Sequence, residues 1–164
     1  MMFIHTWQQV MDGSKSLTSR IVKSEPDGTS VRGEMLQFPT GIPTIVRGNG
    51  IKWCTKWQVG KTYAVQPGRG KPAIGHIQLL TIRQYDVRDI TADEARREGF
   101  NSEYGFWIVW TAIHLPKKYA FKPISISQIA SYKELLEDCR YQLHHIGCDE
   151  KFRAWQLEFK LITE

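Results

Sequence analysis

The chain has 164 residues, a mass of 19.0 kDa and a net charge of +5; this suits a single domain and leans mildly toward an anionic partner such as RNA or DNA, although no long Lys/Arg block appears. A hydrophobic fraction of 41% with a mean hydropathy of −0.37 fits a soluble globule with a real core, and no run approaches the length of a membrane-spanning helix. Three cysteines, Cys54, Cys139 and Cys148, are an odd number without framework spacing, which argues against a disulfide scaffold and for reduced thiols in a cytoplasm.

The N-terminal apolar run is broken at once by His5, Thr6 and paired glutamines, so no signal peptide is expected. Residues 5–12 read as a short helix with Trp7, Val10 and Met11 as its apolar stripe, stopped by Gly13. Residues 15–23 read as a strand, and Ser24 to Ser30 as a surface loop of turn-forming composition. From Val31 to Pro43 the pattern is irregular; 44–47 and 51–54 then predict a hairpin around Gly48-Asn49-Gly50. Strands are expected over 59–68, ending at Pro67-Gly68, and over 73–83. Thr91 and Glu94 form a capping box that opens a helix to about Glu98, with Gly99 ending it. A second helix starts at Ser102 and carries Phe106, Val109, Trp110 and Ile113. A third opens at the Ser131–Glu134 box, carries Leu135, Leu136, Cys139 and Leu143, and stops at Gly147. A last strand covers 152–162. Consecutive strands without intervening helices favour antiparallel pairing or a small barrel over a doubly wound sheet.

The stretch after Gly13 is chemically unusual. On a strand, Ser16, Thr18 and Arg20 share one face, opposite Leu17, Ser19 and Ile21. Two hydroxyls and a guanidinium then line one side, with the Lys15 ammonium at the strand entrance, a face suited to a polar ligand.

The order of helix, Gly13-x-Lys15-Ser16-x-Thr18-x-Arg20 strand and Val59-Gly60-x-x-Tyr63-x-Val65 strand resembles the ASCH family of the PUA-like superfamily. The likeness continues in Ile74-Gly75-His76-Ile77, in Asp89 to Phe100 with its Glu-Gly-Phe ending, in Phe106 to Trp110 and in Trp155 to Phe159. It covers most of 1–115 plus 152–162. It implies an α+β fold over 1–164: one small mixed PUA-like β-barrel domain with flanking helices. Insertions are expected at about 21–57 and 116–151, the second adding a helix before the last strand. It also implies a site for a nucleoside or RNA. Some small bacterial members are amidohydrolases that remove the acetyl group from N4-acetylcytidine, and their motif carries over by position to Lys15, Thr18 and Glu98. Others cleave RNA or only bind it. No cofactor or metal is implied.

Amide hydrolysis needs a nucleophile, a base and a proton donor for the leaving amine. On that reading Thr18 attacks, Lys15 accepts its proton, Glu98 serves as acid/base, and Arg20 holds a carbonyl oxygen or phosphate. Residues three apart on a strand face opposite sides, so Lys15 must sit in the turn after Gly13 for the set to converge. The plain alternative makes Lys15 a solvated turn residue, Thr18 an ordinary strand residue and Glu98 a surface charge at a helix end its sign does not favour. Two rivals to the hydrolase remain open, a non-catalytic module reading RNA or a modified base, and a ribonuclease.

Arg47, Lys52, Trp53, Lys56, Trp57, Lys61 and Tyr63 alternate basic and aromatic character. Ser16, Arg20, Trp53 and Tyr63 are the expected substrate contacts, whereas Trp57 is expected in the core. Pro67 to Lys71 lacks the spacing of a phosphate loop and reads as a hairpin turn. Cys139, His144, His145 and Cys148 match no common zinc module. His5 and His114 read as structural, and His76 could face the ligand.

Overall fold

The computed structural model describes residues 1, 3, 6–24, 31–32, 34–37, 42–48, 53–125 and 131–162, with the backbone alone at 23–24, 31–32, 34–37, 45–48 and 53–54. Its centre is a long antiparallel pair, β8 (Gly75–Asp86) and β9 (Arg153–Ile162), in register from His76 opposite Ile162 to Asp86 opposite Arg153. β1 (Leu17–Ile21) pairs with the other edge of β9 and β7 (Thr62–Val65) with the other edge of β8, giving the order β1-β9-β8-β7. Four consecutive residues of β9, Ala154 to Leu157, are buried. Both faces of this strand are covered, so its hydrophobic pattern does not alternate cleanly.

Two smaller antiparallel sheets complete the strands: β2 (Lys23–Ser24) with β3 (Val31–Arg32), and β4 (Glu34–Gln37), β5 (Pro43–Gly48) and β6 (Trp53–Gln58) in that order. The expected hairpin is therefore β5–β6, although its turn lies outside the described residues. The irregular stretch 31–43 holds two strands the sequence pattern did not announce. β4 is made by its partner: it runs from Glu34 opposite Val46 to Gln37 opposite Pro43, and strand pairing overrides weak local propensity. The β6–β7 turn is tied to the bulge of β8 by Gly60 N–H to Leu79 O (2.8 Å) and Leu79 N–H to Lys61 O (3.0 Å). Trp57 packs there with Leu79, Ile82, Trp155 and Leu157, in the core as expected. The described ladders form these three sheets without closing into one ring.

The helices flank the strands. α1 (Trp7–Met11) caps one end, where Phe3, Val10, Val65, Ile77 and Phe159 cluster. α2 (Ala92–Arg97) starts at the Thr91–Glu94 capping box, formed in both directions. α3 (Glu103–His114) starts at Ser102, whose hydroxyl accepts from Gly105 N–H. α4 (Tyr132–His145), the helix inserted ahead of β9, starts at Ser131, which accepts from Glu134 N–H. α3 and α4 build the largest core around the fully buried Trp107, whose indole N–H donates to Val87 O at 2.9 Å. The α+β class with flanking helices and a helix before the last strand is as the sequence implied. Among the described residues no helix is long and apolar enough to cross a membrane.

Candidate functional site

Two chain reversals, each made by a glycine, bring Lys15 and Glu98 together. Gly13, at φ +81°, reverses the chain after α1. The Lys15 N–H donates to Gln9 O at 2.9 Å, and Ser16 N–H to Arg97 O at 2.9 Å. Lys15 therefore sits in the turn, ahead of β1, and that turn is tied to the end of α2. Gly99, at φ +90°, ends α2 just after Glu98. Gln9 donates its side-chain N–H to Gly99 O at 3.1 Å, and a Cβ at Gly99 would lie 2.4 Å from Gln9 Oε1. Gln9 thus holds the Lys15 turn with its main chain and the Glu98–Gly99 turn with its side chain.

The Lys15 Nζ donates to Glu98 Oε2 at 3.0 Å and to the main-chain O of Glu98, across 83 positions of sequence. Each side chain of the pair is only 4% exposed. The other carboxylate oxygen, Oε1, accepts from the Ser19 hydroxyl, and Ser19 Oγ lies 2.6 Å from the Tyr85 hydroxyl. A chain of hydrogen bonds thus runs Lys15, Glu98, Ser19, Tyr85, buried at its Lys15–Glu98 end and part-buried at Ser19 and Tyr85. Burial pushes the Lys15 ammonium below its ordinary value; Glu98 opposes this and Arg20 adds to it. Burial likewise lowers Arg20, against the pull of Glu98. Tyr85 is pushed well up by burial first and by the Glu98 charge second.

The remaining predicted positions are placed as follows. Thr18 is buried on β1, on the face opposite Ser19. Its hydroxyl makes no hydrogen bond to Lys15, Glu98 or any other described residue. Arg20 shares that face, with its guanidinium carbon 5.7 Å from the centroid of Phe3. Ser16 Oγ accepts from Arg97 Nε at 3.0 Å, and Arg97 in turn pairs with Glu158. The Tyr63 hydroxyl accepts from Gln58 N–H at 2.7 Å, which ties the β6–β7 connection. Trp53 opens β6, but its side chain lies outside the described residues, as do those of Arg47 and Lys52, and His5 lies outside them altogether. His76 is exposed on β8.

Ser19 and Tyr85 escaped the sequence reading. Strand alternation puts Ser19 on the row of Leu17 and Ile21, and Tyr85 lies beyond the expected end of its strand. A polar residue between Leu17 and Ile21 on a core-facing row was the available signal. Cys139 is packed between α3 and α4, its thiol pushed up to about 11 by burial. Among the described residues no cluster of three or more His, Cys, Asp or Glu could hold a metal ion.

No family model matches the chain, and no curated protein does. Among solved structures it is similar to a protein of Enterococcus faecalis of the DUF984 family, with 11% identity, 95% of this chain and 69% of that chain covered and a TM-score of 0.45. It is also similar to an ASCH domain from Lactobacillus crispatus, with 15% identity, 94% and 69% covered and a TM-score of 0.43.

Proposed function

We propose that the chain is an ASCH-type domain that takes a nucleoside or single-stranded RNA at the Lys15–Glu98 site and hydrolyses an acyl group from modified cytidine there. The observation that carries this reading is the dry Lys15–Glu98 pair, 4% exposed on each side. An apolar pair of the same volume would stabilise the fold as well or better, so retention of the charges suits a chemical role.

The chemistry follows from one proton. Its transfer from Nζ to the carboxylate, 3.0 Å away, converts the ion pair into a neutral amine beside a carboxylic acid. Burial favours that form of Lys15. For the amine to take the Thr18 hydroxyl proton as Oγ attacks the acyl carbon, the Lys15 side chain must swing round the entrance of β1 to the Thr18 face, away from Ser19. Arg20 faces the oxygen that becomes negative, and the Glu98 acid protonates the leaving cytosine nitrogen. These steps return the ion pair and leave an acyl ester on Thr18 for water to cleave.

A second reading, a non-catalytic module for RNA or a modified base, is favoured by two features. Lys15 directs its hydrogen bonds at Glu98 rather than Thr18, and Lys15, Thr18 and Glu98 are 4%, 5% and 3% exposed, so a substrate must displace part of the structure to reach them. Incubation with N4-acetylcytidine and chromatography separates the two. Cytidine release that is lost in Thr18→Val is expected. No release, together with RNA binding that weakens with salt, replaces the hydrolase with the module. Cleavage of labelled RNA, with and without divalent metal, detects a ribonuclease.

A further inference from the structure

A groove of about 360 Å³ runs between the second half of α4 and the segment that follows α3, lined by Lys118, Tyr119, Phe121, Tyr141, His145 and Ile146. It shares no residue with the Lys15–Glu98 chain. Its rim carries two aromatic features, of which Tyr141 is open to solvent and Tyr119 is half-buried. Tyr141 is 65% exposed, yet its ring stacks on His145 one turn later, with centroids 4.0 Å apart and planes at 29°. His145 Nδ1 lies 2.7 Å from Tyr141 O, which fixes the imidazole against the helix end. Opposite, the Lys118 ammonium stands 4.6 Å over the Tyr119 ring.

The charge around this groove is the second observation. Lys118 lines the groove, and Lys117 and Lys122 flank its lining segment in sequence; all three are exposed, and none of them pairs with a carboxylate among the described residues. No acid lines the groove; of the acids on α4 and just after it, Glu137 pairs with Lys133 and Asp149 with Arg88, while Glu134, Asp138 and Glu150 share that stretch. An uncharged apolar ligand would have no use for three ammonium groups without a carboxylate partner. An acidic peptide would use the lysines but not the open ring faces. A ligand that combines flat aromatic faces with regularly spaced negative charges satisfies both.

We propose that this groove is a stacking site for the bases of a single-stranded nucleic acid, with Tyr141 and His145 under a base and Lys117, Lys118 and Lys122 against the phosphates. The site rests on the nucleic-acid part of the functional reading and not on hydrolysis. It would give the chain a second contact for a polynucleotide, away from the point where one nucleoside is engaged.

The test is a fluorescence-anisotropy titration of a short labelled oligouridine and an oligothymidine against the full chain. Four proteins are compared: wild type, Tyr141→Ala, Lys117→Glu with Lys118→Glu, and Lys15→Met with Glu98→Gln. Loss of one base-stacking partner is expected to weaken binding about 5-fold or more in Tyr141→Ala. Tyr141→Phe should restore it. The lysine variant should flatten the dependence of affinity on salt. Tyr141 is mostly exposed, so an unchanged unfolding curve is expected to show that the fold is kept. Wild-type binding with Tyr141→Ala unchanged overturns the groove, while weakening only in Lys15→Met/Glu98→Gln then leaves the first site standing. Weakening in Tyr141→Ala with the first-site variant unaffected supports the groove and removes polynucleotide binding from the first site. No binding by wild type overturns the groove and polynucleotide binding at the first site, and leaves nucleoside hydrolysis to the cytidine-release assay.

Discussion

Removal of one partner from the Lys15–Glu98 pair leaves the other charged, dry and without its counter-ion, and that cost can be worked out in advance. Both side chains are 4% exposed and the Nζ–Oε2 distance is 3.0 Å, so neither charge is relieved by solvent. Breaking a buried pair from one side costs about 3 to 5 kcal/mol. For a domain of this size each kcal/mol moves Tm by about 2 to 4 °C, which gives a fall of about 6 to 20 °C for Lys15→Met. Glu98→Gln keeps an acceptor for Ser19 and the main-chain O for Lys15, so its cost should lie at the lower end. The double variant Lys15→Met/Glu98→Gln removes both charges and should recover part of the loss, with a coupling of at least about 2 kcal/mol. Urea denaturation of the four proteins, with equal m-values, supplies the cycle. Single costs below about 1 kcal/mol that simply add would refute the reasoning, because a wet pair behaves that way. A double variant that is stable yet does not release cytidine would assign the charges to chemistry and not to the fold.

Other perturbations have equally definite expectations. Gly99→Ala forces an L side chain into φ +90° and drives its Cβ against Gln9 Oε1. The strain alone costs about 1 to 2 kcal/mol, so denaturation should still register it when Gln9→Ala removes the clash. Tyr85 is held above its ordinary value near 10 by burial, so the folded state keeps a proton that the unfolded chain releases. That stability is complete below pH 10 and is lost above it at about 1.4 kcal/mol per pH unit. Tyr85→Phe should blunt the alkaline fall in stability between pH 10 and 11.5; an identical slope would place Tyr85 in solvent. Thr91→Ala removes the side-chain arm of the capping box of α2 and leaves the main-chain N–H of residue 91 to Glu94; it should cost about 1 kcal/mol in the same denaturation assay. A cost near zero there would mean that α2 is held by its packing and not by its cap.

The sequence carried most of the helical scaffold because helix starts and stops are local. The Thr91 box, Ser102, Ser131 and the glycines at 99 and 147 stand within a few residues of the ends they mark. The position of Lys15 was legible for the same reason: Gly13 sets the turn and strand alternation excludes Lys15 from β1. Strands β3 and β4 were not legible, since they are made by tertiary pairing with β2 and β5 respectively. Nor were the Ser19 links of the Lys15 to Tyr85 chain, which join positions 79 and 66 residues apart. A pattern read along one strand reports which face a residue occupies, but not which face meets the charged group of another element. Ser19 shows the difference. It lies on the row that includes Leu17 and Ile21, and that row happens to meet Glu98.

The two hydroxyls of β1 differ in what their protons are doing, and this decides which of them can carry an acyl group. Ser19 donates its only proton to Glu98 Oε1; the bond to Tyr85 must then be donated by the phenol. Its oxygen is held from both sides, and a shift toward an incoming carbonyl breaks one of two part-buried bonds. The Thr18 hydroxyl has neither restraint, so it can turn toward a substrate without a comparable loss. An acyl-enzyme trapped by acid quench and read by peptide mass spectrometry is therefore expected on Thr18. Ser19→Ala should slow turnover through a less well placed Glu98, with an altered pH profile, and not abolish it. An acyl group found on Ser19, or full activity in Thr18→Val, would move the nucleophile to the opposite face of the strand and make Glu98 its base.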